Sequence, residues 1–240
     1  MATKTIELAG VGPITLVKRA QSRNLRLSVT SNGIRVSMPQ WTPFSAGQAF
    51  ALSNIDWIQR ELARHNVAML ESGQRIGKLH YLRFEHVLGQ QALTSRVSGT
   101  EVVVRLTTSE LTTDADVQAR AQTAARRALK REAETLLPAR LHSLAAKHGR
   151  QYASVGIKQL KRRWGSCDSH TNIVLNLYLM ELPWEYIDYV ILHELTHTVE
   201  MNHGPNFWAL LSSMEPYARD LAKRLRRHQP TVGTWATELE

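Results

Sequence analysis

The stretch His193-Glu194-Leu195-Thr196-His197, continued by Thr198-Val199-Glu200-Met201-Asn202-His203, decides how the chain is read. Two histidines four residues apart in a helix lie on one face, roughly 6 Å apart along the axis, where both imidazoles can reach one ion. The run Trp184 to Met201 supports a helix: it contains neither Gly nor Pro, it follows Pro183, and Glu185 and Asp188 sit near its start, where acids complement the helix dipole. Asn202 and Gly204 supply a stop. Ile187, Ile191, Leu192, Leu195 and Val199 flank the histidine face, which predicts a central helix packed on most sides.

A catalytic zinc takes three protein ligands and keeps a position for water, and a carboxylate beside the first His can accept a proton from the water that the ion acidifies. Glu194 has that place, which predicts a general base. The third ligand must approach from another direction, because one straight helix cannot surround an ion. His203 lies just past the expected helix end, at the interval of the third His of the metzincin pattern, although the turn glycine of that pattern is here Glu200. Glu200 itself falls close to the histidine face, as a carboxylate that supports the ligands or as a rival ligand.

Further blocks accompany this one: Arg163-Trp164-Gly165-Ser166-Cys167, Asn172-Ile173-Val174-Leu175-Asn176, Tyr189-Val190-Ile191-Leu192-His193-Glu194-Leu195, and Asn202-His203 with Phe207-Trp208. Together they resemble the YgjP-like metallopeptidase family, which is similar to SprT-like and other zincin peptidases. The resemblance implies a zinc-dependent hydrolase with one Zn2+ per chain, His193, His197 and His203 as ligands and Glu194 as base. In zincin-like folds a strand at the place of 172–178 forms the cleft rim, which makes Asn172, Val174 and Asn176 candidate substrate-binding residues through backbone pairing with a peptide. Tyr217 falls where the family tends to carry a Tyr and is a candidate oxyanion stabiliser.

Composition narrows the partners. With 240 residues and 43% hydrophobic residues the chain can bury a sizeable core. A single cysteine, Cys167, excludes an internal disulfide and a cysteine-based zinc site, and fits a reducing compartment. No stretch approaches the ~20 apolar residues of a membrane span, so the reading is a cytoplasmic protein without membrane contact. The net charge of +9 and a pI near 10.0 favour acidic partners such as non-specifically bound nucleic acid. The positive residues are spread among several segments without a nucleic-acid module, so a solvated basic surface is preferred. Nothing in the sequence speaks to the oligomeric state.

Along the chain, residues 5–39 alternate as strands with a hairpin turn at Asn32-Gly33, and Pro43 to His65 reads as a helix. Strands are expected at His80–Phe84, near Val97 and over Val102–Leu106, followed by a long helix from Thr113 to Lys147 that Pro138 should kink or split and Gly149 should close. Strands follow at 152–159 and 172–178, then the histidine helix and a last helix after Pro216. The expectation is an α+β chain with a β-rich N-terminal region over 1–110, containing one helix, and a zincin-like metallopeptidase domain over 111–240. The predicted activity is peptide-bond hydrolysis on a peptide or protein substrate. Its rivals are a DNA-associated SprT-type protease and a non-enzymatic DNA-binding or scaffold protein with a structural metal.

Overall fold

The structure is a computed structural model that describes residues 2–8, 11–20, 22–30, 33–59, 69–232 and 237–239. The chain divides into two compact units, Met1–Ala68 with Gly233–Glu240, and Met69–Val232. This division falls upstream of the boundary expected near residue 110. The reason is packing: the strands of 75–106 bury Leu82, Val102, Val104 and Leu106 in the same core as the long helix that follows them.

In the first unit β1 (Thr3–Leu8) pairs antiparallel with β2 (Gly12–Arg19), and β3 (Arg26–Thr30) with β4 (Gly33–Pro39). The period-two pattern is kept, with Ile14, Leu16, Leu27, Val29, Val36 and Met38 fully buried. β2 and β4 are parallel neighbours, Ile14 opposite Ile34 and Leu16 opposite Val36, so the strands do not run as a simple meander. Thr30 faces Gly33 across the expected hairpin, whose Asn32 lies outside the described residues. Helix α1 (Phe44–Ser53) stops earlier than expected at Asn54, where the Nδ2 amide donates to the Phe50 carbonyl at 2.8 Å. The backbone is helical again over 55–59, and the rest of the expected helix, His65 included, lies outside the described residues.

The second unit is organised around α2 (Ala115–Lys147). On it lies a sheet of β5 (Arg75–Ile76), β6 (His80–His86), β7 (Thr94–Ser98) and β8 (Glu101–Leu106), in the order β5-β6-β8-β7. α2 runs through Pro138 as one helix. Proline costs about 3 kcal/mol inside a helix, but Val117, Ala121, Ala124, Ala128, Leu129, Leu137, Leu141 and Leu144 form one buried stripe on both sides of it, and that shared burial outweighs the missing hydrogen bond. Gly149 closes the helix at φ +61, with Arg150 N–H bonded to Ala145 O at 2.8 Å and Gly149 N–H to Ala146 O at 3.3 Å.

The turn between β5 and β6 is held by a fully buried carboxylate. Glu132 of α2 accepts the backbone N–H groups of Lys78, Leu79 and His80 and sits 2.6 Å from His80 Nδ1. His80 therefore serves packing. Two cations of α2 are also structural: Arg127 donates to Ser95 Oγ and Arg131 to the Val97 carbonyl, both at 2.8 Å.

After α2 come β9 (Ser154–Lys158), β10 (Gly165–Cys167) and β11 (Asn172–Asn176), then a 3-10 turn at Leu177–Glu181, α3 (Trp184–His197), α4 (Pro205–Met214) and α5 (Ala218–Leu225). β11 is central, antiparallel to β10 and parallel to β9. Arg140 Nε reaches Asp188 Oδ1 at 2.6 Å and ties α2 to α3. The last strand, β12 (Thr237–Leu239), pairs with β3 in the first unit and completes the order β1-β2-β4-β3-β12. Among the described residues no helix is long and apolar enough to cross a membrane.

Candidate metal centre

Helix α3 presents His193 and His197 one turn apart and ends at His197, four residues before the expected stop. The helix tightens there: Thr198 N–H bonds to Leu195 O and Val199 N–H to Thr196 O, while the Thr198 hydroxyl donates to Leu195 O at 2.8 Å. This early closure lets the chain turn back before α4 starts at Pro205, a first-turn proline. His203 returns to the face of α3.

The three imidazoles converge. His193 Nε2 lies 3.2 Å from His197 Nε2 and 3.1 Å from His203 Nε2, and all three ligand atoms fall within 4.8 Å of one another. Nitrogens bound to one tetrahedral zinc at about 2.0–2.1 Å stand roughly 3.3 Å apart, so the two separations from His193 are those of a shared coordination sphere. His197 Nδ1 faces the Glu200 carbonyl oxygen at 3.1 Å. A proton donated there leaves the Nε2 lone pair directed at the other two rings. Phe207, fully buried, floors the cluster, its ring centroid 5.0, 4.7 and 4.6 Å from those of His193, His197 and His203.

Burial, with His197 and His203 as neighbours, holds the His193 pKa down at about 3; burial also lowers His197, so both rings are neutral and able to ligate. His193 Nδ1 and Glu194 Oε2 are buried atoms with no hydrogen-bond partner among the described residues. Such atoms are costly. The Glu194 carboxyl is pushed up to about 8 by burial, against the pull of the Arg163 guanidinium. The donor set of three imidazoles beside a carboxyl oxygen with no hydrogen-bond partner among the described residues fits a divalent ion.

These shifts set the pH dependence of the protein once stripped of metal. Folded, Glu194 keeps its proton up to about pH 8, whereas unfolded it loses it above 4.5; its contribution is full below 4.5 and is lost as pH rises through 8. His193 has the opposite sign. The unfolded ring takes a proton below 6.5 that the folded ring refuses until about 3, so stability falls as pH drops from 6.5 towards 3. Glu194→Gln removes only the first slope. The urea midpoint of chelator-treated Glu194→Gln, minus that of the wild type, should rise between pH 4.5 and 8, and a flat difference would contradict the burial of this carboxyl.

A cleft of about 290 Å³ opens over the cluster, lined by the three histidines, Glu194, Arg163 and the strand Gly165-Ser166-Cys167. Gly165 has a steric role that the sequence did not signal: a Cβ there would meet Glu194 Oε1 at 2.6 Å and Cγ at 2.8 Å. The Cys167 thiol is pushed up to about 11, first by burial and then by the Glu194 and Asp168 charges, which leaves it un-ionised and a poor nucleophile.

Other expected site residues lie elsewhere. Glu200 contributes its backbone carbonyl, and its carboxylate is not among the converging ligand atoms. Tyr217 is 73% exposed and does not line the cleft. Asn172, Val174 and Asn176 lie on the central strand, whose two edges are taken by β10 and β9, so this strand has no free edge for a peptide. Asn172 binds the Asp168 carboxylate and Ser154. Asn176, fully buried, donates to the Leu160 and Arg163 carbonyls at 3.0 and 2.8 Å and accepts from Tyr178 N–H.

The edge next to the cleft belongs to β10, which among the described residues pairs only with β11. Trp164 O and Asp168 N–H bond to Asn176 N–H and Asn172 O. By antiparallel alternation, the main-chain groups of Gly165 and Cys167 then face the open edge.

The chain belongs to the YgjP-like metallopeptidase family, whose metallopeptidase domain matches residues 23–228. Among solved structures it is similar to the metallopeptidase zymogen of Pyrococcus abyssi abylysin, at 23% identity over 38% of this chain and 91% of that one, TM-score 0.35. It is also similar to the metallopeptidase zymogen of Methanocaldococcus jannaschii jannalysin, at 21% identity over 38% and 94%, TM-score 0.34. A comparison with curated proteins returns no match. Family membership supports a metallopeptidase function and a metal, for which the His193, His197 and His203 cluster is suited.

Proposed function

We propose that the chain is a zinc peptidase that uses His193, His197 and His203 to hold one ion and Glu194 as general base. The observation that carries this reading is the convergence of three imidazole nitrogens beside a buried carboxyl oxygen with no hydrogen-bond partner among the described residues. A zinc ion bound there supplies Lewis acidity towards the scissile carbonyl and a water acidic enough to be deprotonated near neutral pH. Glu194 would take that proton at Oε2, as the carboxylate that a neighbouring cation favours over the protonated form, and would return it to the leaving amine. The β10 edge holds an extended peptide through the main chain of Gly165 and Cys167, which gives affinity with little demand on sequence.

Gly165→Ala tests the steric part. The φ of Gly165 is not in the left-handed region, so the added methyl strains no backbone and acts by displacing the base. Cleavage should fall about 10–100-fold, with metal content and unfolding midpoint close to wild type; an unchanged rate would remove Gly165 from the account. The reading as a whole is tested by incubating the metal-loaded protein with an unfolded protein and identifying fragments by mass spectrometry. New internal termini are expected, and intact substrate after prolonged incubation would leave a scaffold with a structural metal as the better reading.

A further inference from the structure

The tetrahedral adduct of peptide hydrolysis carries a negative oxygen, and Tyr217, the residue expected to meet it, does not line the cleft. Among the described residues that do line it, Arg163 is the one cation besides the three histidines. We propose that Arg163 is a catalytic residue, whose guanidinium donates to the former carbonyl oxygen of the substrate as that oxygen becomes negative. This role rests on the peptidase reading above and deepens it.

Strand alternation sets the direction of the side chain. A Cβ on Gly165 would run into Glu194, so that position faces the base. Cys167, two residues on, feels the charge of Glu194, and Glu194 feels that of Arg163, two residues back. The three positions share one face of the strand, and that face looks at Glu194. The ladder continues one step before β10, since Asn176 N–H bonds to Trp164 O at 2.9 Å, and Asn176 Nδ2 donates to the Arg163 carbonyl at 2.8 Å. The main chain of Arg163 is thus pinned by a fully buried residue, and only its side chain is left to adjust. Its guanidinium faces Glu194 without a hydrogen bond or ion pair among the described residues, so its donors are open to a substrate oxygen.

The reaction moves charge past this group. As water adds to the peptide carbon, a C–O bond forms, the π pair of the carbonyl moves to its oxygen, and a water proton passes to Glu194. Negative charge leaves the Glu194 carboxylate and appears on the former carbonyl oxygen. A cation beside both loses one partner and gains the other in the same step, so the field that favours the adduct is in place before the bond forms. Collapse of the adduct breaks the C–N bond, and the proton goes from Glu194 to the departing nitrogen. A guanidinium suits the task, because it stays charged at any working pH and presents several N–H donors. The β10 edge that receives the peptide begins two residues after Arg163, so the side chain is rooted beside the bound backbone.

The test compares the full-length, zinc-loaded wild type with Arg163→Gln and Arg163→Lys on a quenched fluorescent peptide taken from a site cleaved in the unfolded protein. In Arg163→Gln kcat should fall about 100-fold, with KM changed by less than about threefold. Arg163→Lys, which keeps the charge and loses the planar fork, should recover part of that loss. Zinc content and unfolding midpoint should stay at wild-type values, because Asn176 grips the main chain of Arg163 and not its side chain. A raised KM with kcat unchanged, or a loss of zinc, would overturn the assignment. Binding then separates action on the substrate from action through Glu194. A phosphinic peptide, whose tetrahedral anion resembles the adduct, and its amide twin are titrated calorimetrically into zinc-loaded Glu194→Gln and Glu194→Gln/Arg163→Gln. The phosphinic peptide should bind the double variant at least about tenfold more weakly, while the amide binds both proteins equally. Equal affinity of the two proteins for the phosphinic peptide would overturn the assignment, since Arg163 would then act only on the base. Should the wild type cleave no peptide, the peptidase reading fails separately, and Arg163 is judged on this titration alone.

Discussion

Glu194→Gln should leave the fold and the metal in place while cleavage falls by about 10²–10⁴-fold, the usual value of general-base catalysis. Glutamine keeps the side-chain volume and an oxygen, so the packing under Gly165 and β10 is retained. It cannot take up a proton, and Oε2 is an atom without a hydrogen-bond partner among the described residues. Removing a buried carboxyl held at about 8 also relieves a desolvation cost, so the metal-free variant should be no less stable than wild type at pH 8. The comparison is of kcat/KM beside zinc content. Equal cleavage by the two proteins would end the role assigned to Glu194, and loss of zinc from the variant would recast it as a ligand.

His193→Ala should abolish metal binding, taking the zinc content from about one per chain to near zero after dialysis. His193 is the pivot of the cluster: its Nε2 lies 3.2 and 3.1 Å from the other two ligand nitrogens, so its removal leaves two imidazoles and an open side. Cleavage should vanish with the metal. Glu200→Ala is the informative companion, since the feature of Glu200 that touches His197 is a backbone carbonyl that alanine also carries. It should retain zinc. Full zinc in His193→Ala, or its loss in Glu200→Ala, would show that the ligand set is wrong.

The histidine helix was legible because spacing alone puts His193 and His197 on one face, and because a glycine- and proline-free run flanked by Pro183 and Gly204 has few other ways to fold. Its end was not legible. Closure at His197 depends on short-range bonds from Thr198 and Val199 back to Leu195 and Thr196, and neither threonine nor valine signals them in sequence. The strand that borders the cleft was missed for a different reason: β10 has three residues, Gly165-Ser166-Cys167, too few to show a period of two. The five-residue β11 showed it clearly and drew the substrate role, although pairing on both sides removes β11 from the edge.

Pro138 marks the limit of local rules. Its effect on α2 is decided by the buried stripe on either side, which is a tertiary property. The division of the chain near residue 68 is likewise a matter of which sheet shares a core with α2, and composition along the chain changes little there. Gly165 stayed hidden because its significance is an ångström-scale contact with a residue 29 positions away in sequence.

The most direct test of the account is a chelation and reloading titration of the wild-type protein, with cleavage of an unfolded substrate followed at each step. Chelation should stop cleavage, added zinc should restore it in proportion to the metal bound, and the rate should saturate at about one ion per chain. Cleavage that persists after the zinc is gone, or a chain that binds zinc fully at the three histidines and cleaves nothing, would contradict it.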